Sequence, residues 1–181
     1  MWVPRWSSVG LRSWCSHSCV CCLSPRYASQ IDAGQPVQSE AAHQGACLCT
    51  QIQFTVSRSY LSAFNCYCGM CRRAHGAAFS THVPMRREQF RLGQGHLLRF
   101  SSSVRGVREF CGTCGAHVLV HGQTEGSSVA VPAGLFVSGT EIRVAAHMFV
   151  QDKVSWYRIT DDLPQYAQWP PGVAFTHAEK Q

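Results

Sequence analysis

The sequence predicts an all-β fold, an open barrel or sandwich of short strands. Three observations predict it. Apolar residues alternate over short windows, as at Ile52, Phe54 and Val56, which puts them on one face of a strand. Clusters of Gly and Ser punctuate these windows at Gly93-Gln94-Gly95, Ser101-Ser102-Ser103 and Gly126, as turns do between strands. Seven of the eleven cysteines fall into three tight groups that can tie distant strands through metal.

Taken in order, Ala46–Val56 reads as the first strand, with Cys47 and Cys49 on one face and Leu48 on the other. Residues Leu61–Phe64, Phe79–Val83, His96–Phe100 and Val104–Phe110 follow as short apolar or alternating runs. His117–Val120, Ser128–Val131 and His147–Val150 complete the series. A single turn of helix is expected at Arg86–Phe90, and no other window has a 3.6-residue period. Residues 155–175 are aromatic and Pro-rich and are expected as an irregular tail over the sheet.

The 181 residues allow one domain with an appendage. The expected division is an N-terminal segment over 1–43, a zinc-binding domain over 44–175 and a tail over 176–181. The first segment is rich in Ser, Arg, Trp and Cys, and its arginines Arg5, Arg12 and Arg26 face no acid before Asp32. Arg- and Ser-rich, acid-poor composition fits a mitochondrial presequence. Trp2, Trp6, Trp14 and the group Cys15, Cys19, Cys21 and Cys22 fit a disordered extension better. A secretory signal lacks its apolar stretch. Those four cysteines have no matching second cluster and are not counted as ligands.

The net charge of +6 is half accounted for by those three arginines. A mild excess spread over the rest lacks the dense basic stripe of a nucleic-acid binder. No apolar run is long enough for a transmembrane helix, so neither nucleic acid nor membrane is an expected partner. Cysteines at one- and two-residue spacing read as metal ligands of a reducing compartment rather than as a disulfide frame. The expected location is cytoplasmic, or mitochondrial if residues 1–43 act as a presequence.

The clusters are Cys47-Leu48-Cys49, Cys66-Tyr67-Cys68-Gly69-Met70-Cys71 and Cys111-Gly112-Thr113-Cys114. A tetrahedral thiolate site needs four sulfurs, so seven are one full site and three left over. Cys47, Cys49, Cys111 and Cys114 pair a C-x-C with a distant C-x2-C and would cross-link two parts of the sheet. Cys66, Cys68 and Cys71 sit within six residues and can reach one zinc, leaving a vertex for water or an incoming ligand. A second reading completes that site with His75 or another histidine. There is no phosphate loop, H-E-x-x-H motif or deaminase pattern.

With these residues in register the chain resembles the glutathione-dependent formaldehyde-activating enzyme family, whose domain is shared with centromere protein V. The matching stretches are Gly45 to Cys49, Cys66 to Gly76, Arg108 to Gly115, Ala146 to Val150 and Leu163 to Tyr166. Together they span about residues 43–171. The resemblance implies an all-β fold, a zinc-containing open barrel or sandwich of short antiparallel strands, with two zinc ions per chain. It implies a structural set, Cys47, Cys49, Cys111 and Cys114, and a catalytic set, Cys66, Cys68 and Cys71. It also implies a carbon–sulfur lyase whose partners are a small thiol such as glutathione and an aldehyde, joined as S-hydroxymethylglutathione in the family reaction. The centromere relatives imply the alternative of a non-catalytic interaction module. Arg72 and Arg73 are candidates for a glutathione carboxylate, because guanidinium pairs bidentately with carboxylates. This chain departs from the family at Thr50, where Gly is common, and at Tyr67, where His is. It departs again at Gly69 in place of Ser, and over Gly134-Leu135-Phe136-Val137.

Overall fold

The computed structural model describes residues 42–124 and 128–171. The expectations for residues 1–41, including a presequence and the four cysteines there, lie outside the described residues, as does the tail over 176–181. Within them the chain runs β1 (Ala42–Ala46), β2 (Gln53–Ser57), β3 (Leu61–Cys66), α1 (Gly69–His75) and β4 (Ser80–Met85). It continues with β5 (Phe90–Gln94), β6 (Leu97–Ser101), β7 (Gly106–Cys111) and β8 (His117–Gly122), then β9 (Val129–Pro132), β10 (Ile142–Met148) and β11 (Gln165–Tyr166). Short 3-10 turns precede β5 and follow β9 and β10.

The strands form two open sheets. The smaller has the order β1-β2-β5 and the larger the order β11-β10-β3-β4-β9-β8-β7-β6. The all-β expectation holds, but not every pair is antiparallel: β10 runs parallel to both β3 and β11. Parallel neighbours need a long crossover, and here the chain between β3 and β10 supplies it by building most of both sheets. The sheets face each other across one core. Phe54, Val56 and Phe90 of the small sheet meet Val83, Val118, Leu119, Val129 and Val131 of the large one, all nearly solvent-free.

The first strand is the clearest correction. The expected single run over Ala46–Val56 is broken into β1 and β2, and the Cys47-Leu48-Cys49 segment is the turn between them. Thr50 adopts φ 60°, a left-handed conformation that most side chains avoid and glycine takes freely. That is the physical reason a glycine suits the position after C-x-C. Leu48, expected on a strand face, is instead 84 % exposed at the turn's tip.

The remaining differences are local. Helix α1 has too few residues to show a period; its ends are set by special positions instead. Cys68 caps its N-terminus with its sulfur accepting from the Cys71 amide, and Gly76 ends it at φ 60°. Arg72 and Arg73 in the last turn complement the negative end of the peptide dipoles. Strand β5 was hidden because four of its five residues are exposed and its polar sequence does not alternate. The tail does lie over the sheet: β11 pairs with β10, and Trp169 packs edge-on against Phe64 and Phe149.

One close approach yields a prediction. A β-carbon at Gly45 would run into the Phe54 ring, which stacks on Phe90 and meets Phe136 edge-on. Gly45→Ala is expected to destabilise the fold by about 1–3 kcal/mol, the cost of overpacking a filled core. The shift in urea midpoint measures it.

Candidate metal centres

The first centre joins two hairpin ends that are built alike. At the β1–β2 turn, Cys47 N–H donates to the Ile52 carbonyl at 3.0 Å and Thr50 N–H to the Cys47 carbonyl at 2.9 Å. At the β7–β8 turn, Cys111 N–H donates to the Ala116 carbonyl at 2.9 Å and Gly115 N–H to the Cys111 carbonyl at 2.9 Å. Gly115, like Thr50, sits at positive φ. The Thr113 hydroxyl donates to Gln51 Oε1 at 2.6 Å and bolts one knuckle to the other.

The sulfurs of Cys47, Cys49, Cys111 and Cys114 lie within 4.8 Å of one another. None of these cysteines is in a disulfide. The Cys47–Cys49 and Cys49–Cys111 separations are 3.5 and 3.7 Å, close to the edge of about 3.8 Å in a tetrahedron of 2.3 Å zinc–sulfur bonds. Backbone N–H groups point at the sulfurs, as Ile52 does at Cys47 Sγ, 3.3 Å. The Ala116 and Cys49 amides hold the Cys114 thiol down to about 6, and the Cys114 and Thr113 amides lower Cys111. Soft donors, tetrahedral spacing and thiolate-favouring amides fit a metal such as zinc.

The second centre forms where β3 gives way to α1. Cys66 ends the strand, Cys68 caps the helix and Cys71 lies in its first turn; their sulfurs are also within 4.8 Å of one another. Cys66 and Cys71 are buried, whereas Cys68 is half-buried and stands on the solvent side. Hydrogen bonds from the Cys66 and Cys71 thiols hold Cys68 down to about 2. Those same bonds, with burial, push Cys66 well up. Cys71 is pulled down by Cys66, but Cys68 and burial outweigh that and leave it at about 11. Three thiols crowded this way share protons unevenly because their charges repel. A cation is the simplest relief.

Among the described residues no histidine joins the triplet. His82 Nε2 lies 3.5 Å from Cys71 Sγ, while His75 Nε2 and His117 Nδ1 hydrogen-bond to each other at 2.9 Å. Arg108 on β7 donates from Nη2 to Cys71 Sγ at 3.7 Å. These four side chains wall one flank of the triplet. Burial first, then the Arg108 charge, push His75 to about 4; burial, His75 and Arg108 push His82 and His117 to about 3.

A depressed histidine pKa means the unfolded chain binds more protons, so stability is full above the ordinary value near 6.5 and falls as pH drops toward 4. The ring protons of His75 and His117 are therefore expected not to titrate between pH 8 and 5 in proton NMR. A midpoint near 6.5 for both would contradict this burial.

On the other flank Tyr67, fully buried between Cys66 and Cys68 in the chain, anchors the loop. Its hydroxyl pairs with His147 Nδ1 at 2.9 Å, and His147 Nε2 pairs with Asp161 Oδ1 at 2.9 Å. Burial, with Tyr157 and Asp161 nearby, raises the phenol's pKa and keeps it neutral. The His147 bond lowers the Asp161 carboxyl. Tyr67 N–H also donates to the Met148 carbonyl at 3.0 Å.

Arg72 and Arg73, the expected carboxylate contacts, follow Cys71 on α1. Arg72 Nε donates to the Tyr67 carbonyl at 3.1 Å, and Arg73 is exposed. Reading the sequence did not single out His82, Arg108, His117 or Asp161. Arg108 stands three residues before Cys111 and beside Glu109 in β7, where nothing in the sequence marks it as buried. His82 and His117 gave no signal either, since their meeting depends on how β4, β7 and β8 assemble.

The model of the glutathione-dependent formaldehyde-activating enzyme family matches residues 42–152. A crystal structure of a Rhodobacter sphaeroides protein is similar at 20% identity with a TM-score of 0.42, covering 56% of this chain and 99% of that one. Comparison with curated proteins gives no match.

Proposed function

The chain belongs to the glutathione-dependent formaldehyde-activating enzyme family, and from that premise we propose that it is a zinc-dependent carbon–sulfur lyase acting on thiol–aldehyde adducts. The substrate pair is glutathione and formaldehyde, or a related small thiol. Cys47, Cys49, Cys111 and Cys114 hold a structural zinc; Cys66, Cys68 and Cys71 hold a catalytic one. The observation that carries this reading is the inequality of the centres: four converging sulfurs in one, three in the other.

Four thiolates close a tetrahedron, while three leave a position free, which is how reactive zinc sites differ from structural ones. Zinc in such a set stabilises the thiolate form of a bound thiol near neutral pH. The chain's own residues supply the rest. Cys68, on the solvent side, opens the centre to an incoming thiol. The Tyr67–His147–Asp161 chain and the Arg72 bond to the Tyr67 carbonyl hold the ligand loop still, so that the open position keeps its direction. Arg73 and the remaining N–H groups of Arg72 stand beside Gly69 at that mouth and take a carboxylate of the thiol substrate.

The catalytic unit comprises residues 44–175, with 1–43 and 176–181 as appended segments. Seven cysteines free of disulfides suit a reducing compartment, and the cytoplasm is the proposed location. No helix among the described residues is long and apolar enough to cross a membrane.

The test is metal analysis together with 13C NMR of formaldehyde mixed with glutathione. Two zinc ions per chain and a faster approach to the hydroxymethyl adduct than in buffer are expected. Two zinc ions with no acceleration for glutathione, cysteine or 2-mercaptoethanol would point to the interaction-module alternative.

A further inference from the structure

Arg108 is buried, only 7 % exposed, and its nearest polar partner is a sulfur. Nη2 donates to Cys71 Sγ, and Nη1 has no hydrogen-bond partner. Its sequence neighbour Glu109 cannot help. That carboxylate pairs with Arg99 at 3.3 Å and His121 at 3.1 Å, and alternation along β7 sends the two side chains to opposite faces. A buried, unsatisfied donor on a permanent cation costs several kcal/mol, so the position calls for an anion.

Two further orphan nitrogens adjoin it. His82 is 2 % exposed, with Nε2 on the same Cys71 sulfur and Nδ1 unpartnered. His117, half-buried and bonded to His75, leaves Nε2 unpartnered. Toward a Cys71 thiolate His82 Nε2 donates and its Nδ1 is a lone pair, so the donor left here for an anionic oxygen is the Arg108 Nη1–H. Arg108 Nη2 is on Cys71 Sγ, so a group received by Nη1 lies beside the triplet rather than at the far end of a peptide-like substrate.

We infer that Arg108 Nη1 forms an anionic-oxygen subsite beside the triplet, which receives the aldehyde oxygen as the thiolate adds to the carbonyl carbon. The inference rests on the reading of the triplet as a thiol-binding centre. In the step, the sulfur lone pair forms the S–C bond and the C=O π pair moves onto oxygen. The Arg108 Nη1–H donates to that alkoxide, and the proton released when the thiol ionised returns to it through water. No other reactant is needed. A donor fixed in a buried site acts on charge as it develops, without solvent rearrangement. Arg108 thus serves as an oxyanion donor distinct from the exposed Arg73.

The test uses zinc-loaded protein and calorimetric titration of two small thiols, mercaptoacetate and 2-mercaptoethanol, which carry an anionic or a neutral oxygen near sulfur. Wild type is expected to bind mercaptoacetate tighter by about tenfold or more, the scale of one charge-assisted hydrogen bond. In Arg108→Gln the preference should fall below about threefold, with 2-mercaptoethanol affinity and two zinc ions per chain retained. A preference that survives in Arg108→Gln places the carboxylate on the metal and overturns the inference. Equal weakening of both thiols makes Arg108 a support for Cys71 alone, and also overturns it. Should the Gln variant not fold, Arg108→Lys keeps the charge but loses the fork, and must still reduce the preference at least about threefold. Wild type binding both thiols equally removes this inference alone. Wild type binding neither removes the thiol-centre reading as well.

Discussion

Cys111→Ser is expected to leave the chain without a stable fold at ambient temperature. Serine matches cysteine in size, so the effect is not one of packing; what is lost, on the proposed reading, is a metal ligand. A structural zinc contributes on the order of 10 kcal/mol to folding, comparable with the whole net stability of a domain. Cys111 ends β7, is 1 % exposed, and belongs to the knuckle that meets the β1–β2 turn of the small sheet. Near-UV circular dichroism should lose its fine structure, and metal analysis should find less than one equivalent of zinc. A variant that unfolds within about 1 kcal/mol of wild type would show that these four sulfurs carry no metal-derived stability.

Cys68→Ser is expected to behave in the opposite way, retaining the fold while losing one zinc and the activity. Serine is a preferred residue at a helix N-cap, and its hydroxyl can accept from the Cys71 amide as the Cys68 sulfur does at 3.4 Å. Cys68 is half-buried, so little core is disturbed and the melting midpoint should move by a few degrees at most. The rate of adduct formation should fall about 10³-fold or more, at least the loss seen when a single oxyanion donor is removed. One zinc per chain should remain. Unaltered turnover after loss of the second zinc would sink the catalytic reading of the triplet. The contrast between the two variants tests the division into structural and catalytic centres more sharply than either does alone.

Much of the site was legible because its chemistry is local. Cys66, Cys68 and Cys71 fall within six residues, so no fold could carry their sulfurs far apart, and their number is one short of a tetrahedral set. The two outer pairs could be matched by counting, since each pair needs another to close a tetrahedron. The flank of the triplet was not legible. Arg108, His82 and His117 come from three strands, and what brings them together is the sheet order β4-β9-β8-β7. Tyr67, His147 and Asp161 likewise meet only because β10 lies parallel to β3 with Met148 opposite Cys66.

The sequence by itself determined the strand-rich character of this protein, the seven sulfurs and their partition into four and three, because periodicity and ligand count are properties of short windows. Only the tertiary structure decided that Cys47-Leu48-Cys49 is a turn rather than a strand, since the requirement for positive φ at Thr50 comes from closing a knuckle on its partner. It also decided the surroundings of the open centre. A buried arginine with an unmatched N–H has no signature in the chain, because burial and pairing are set by which strands become neighbours.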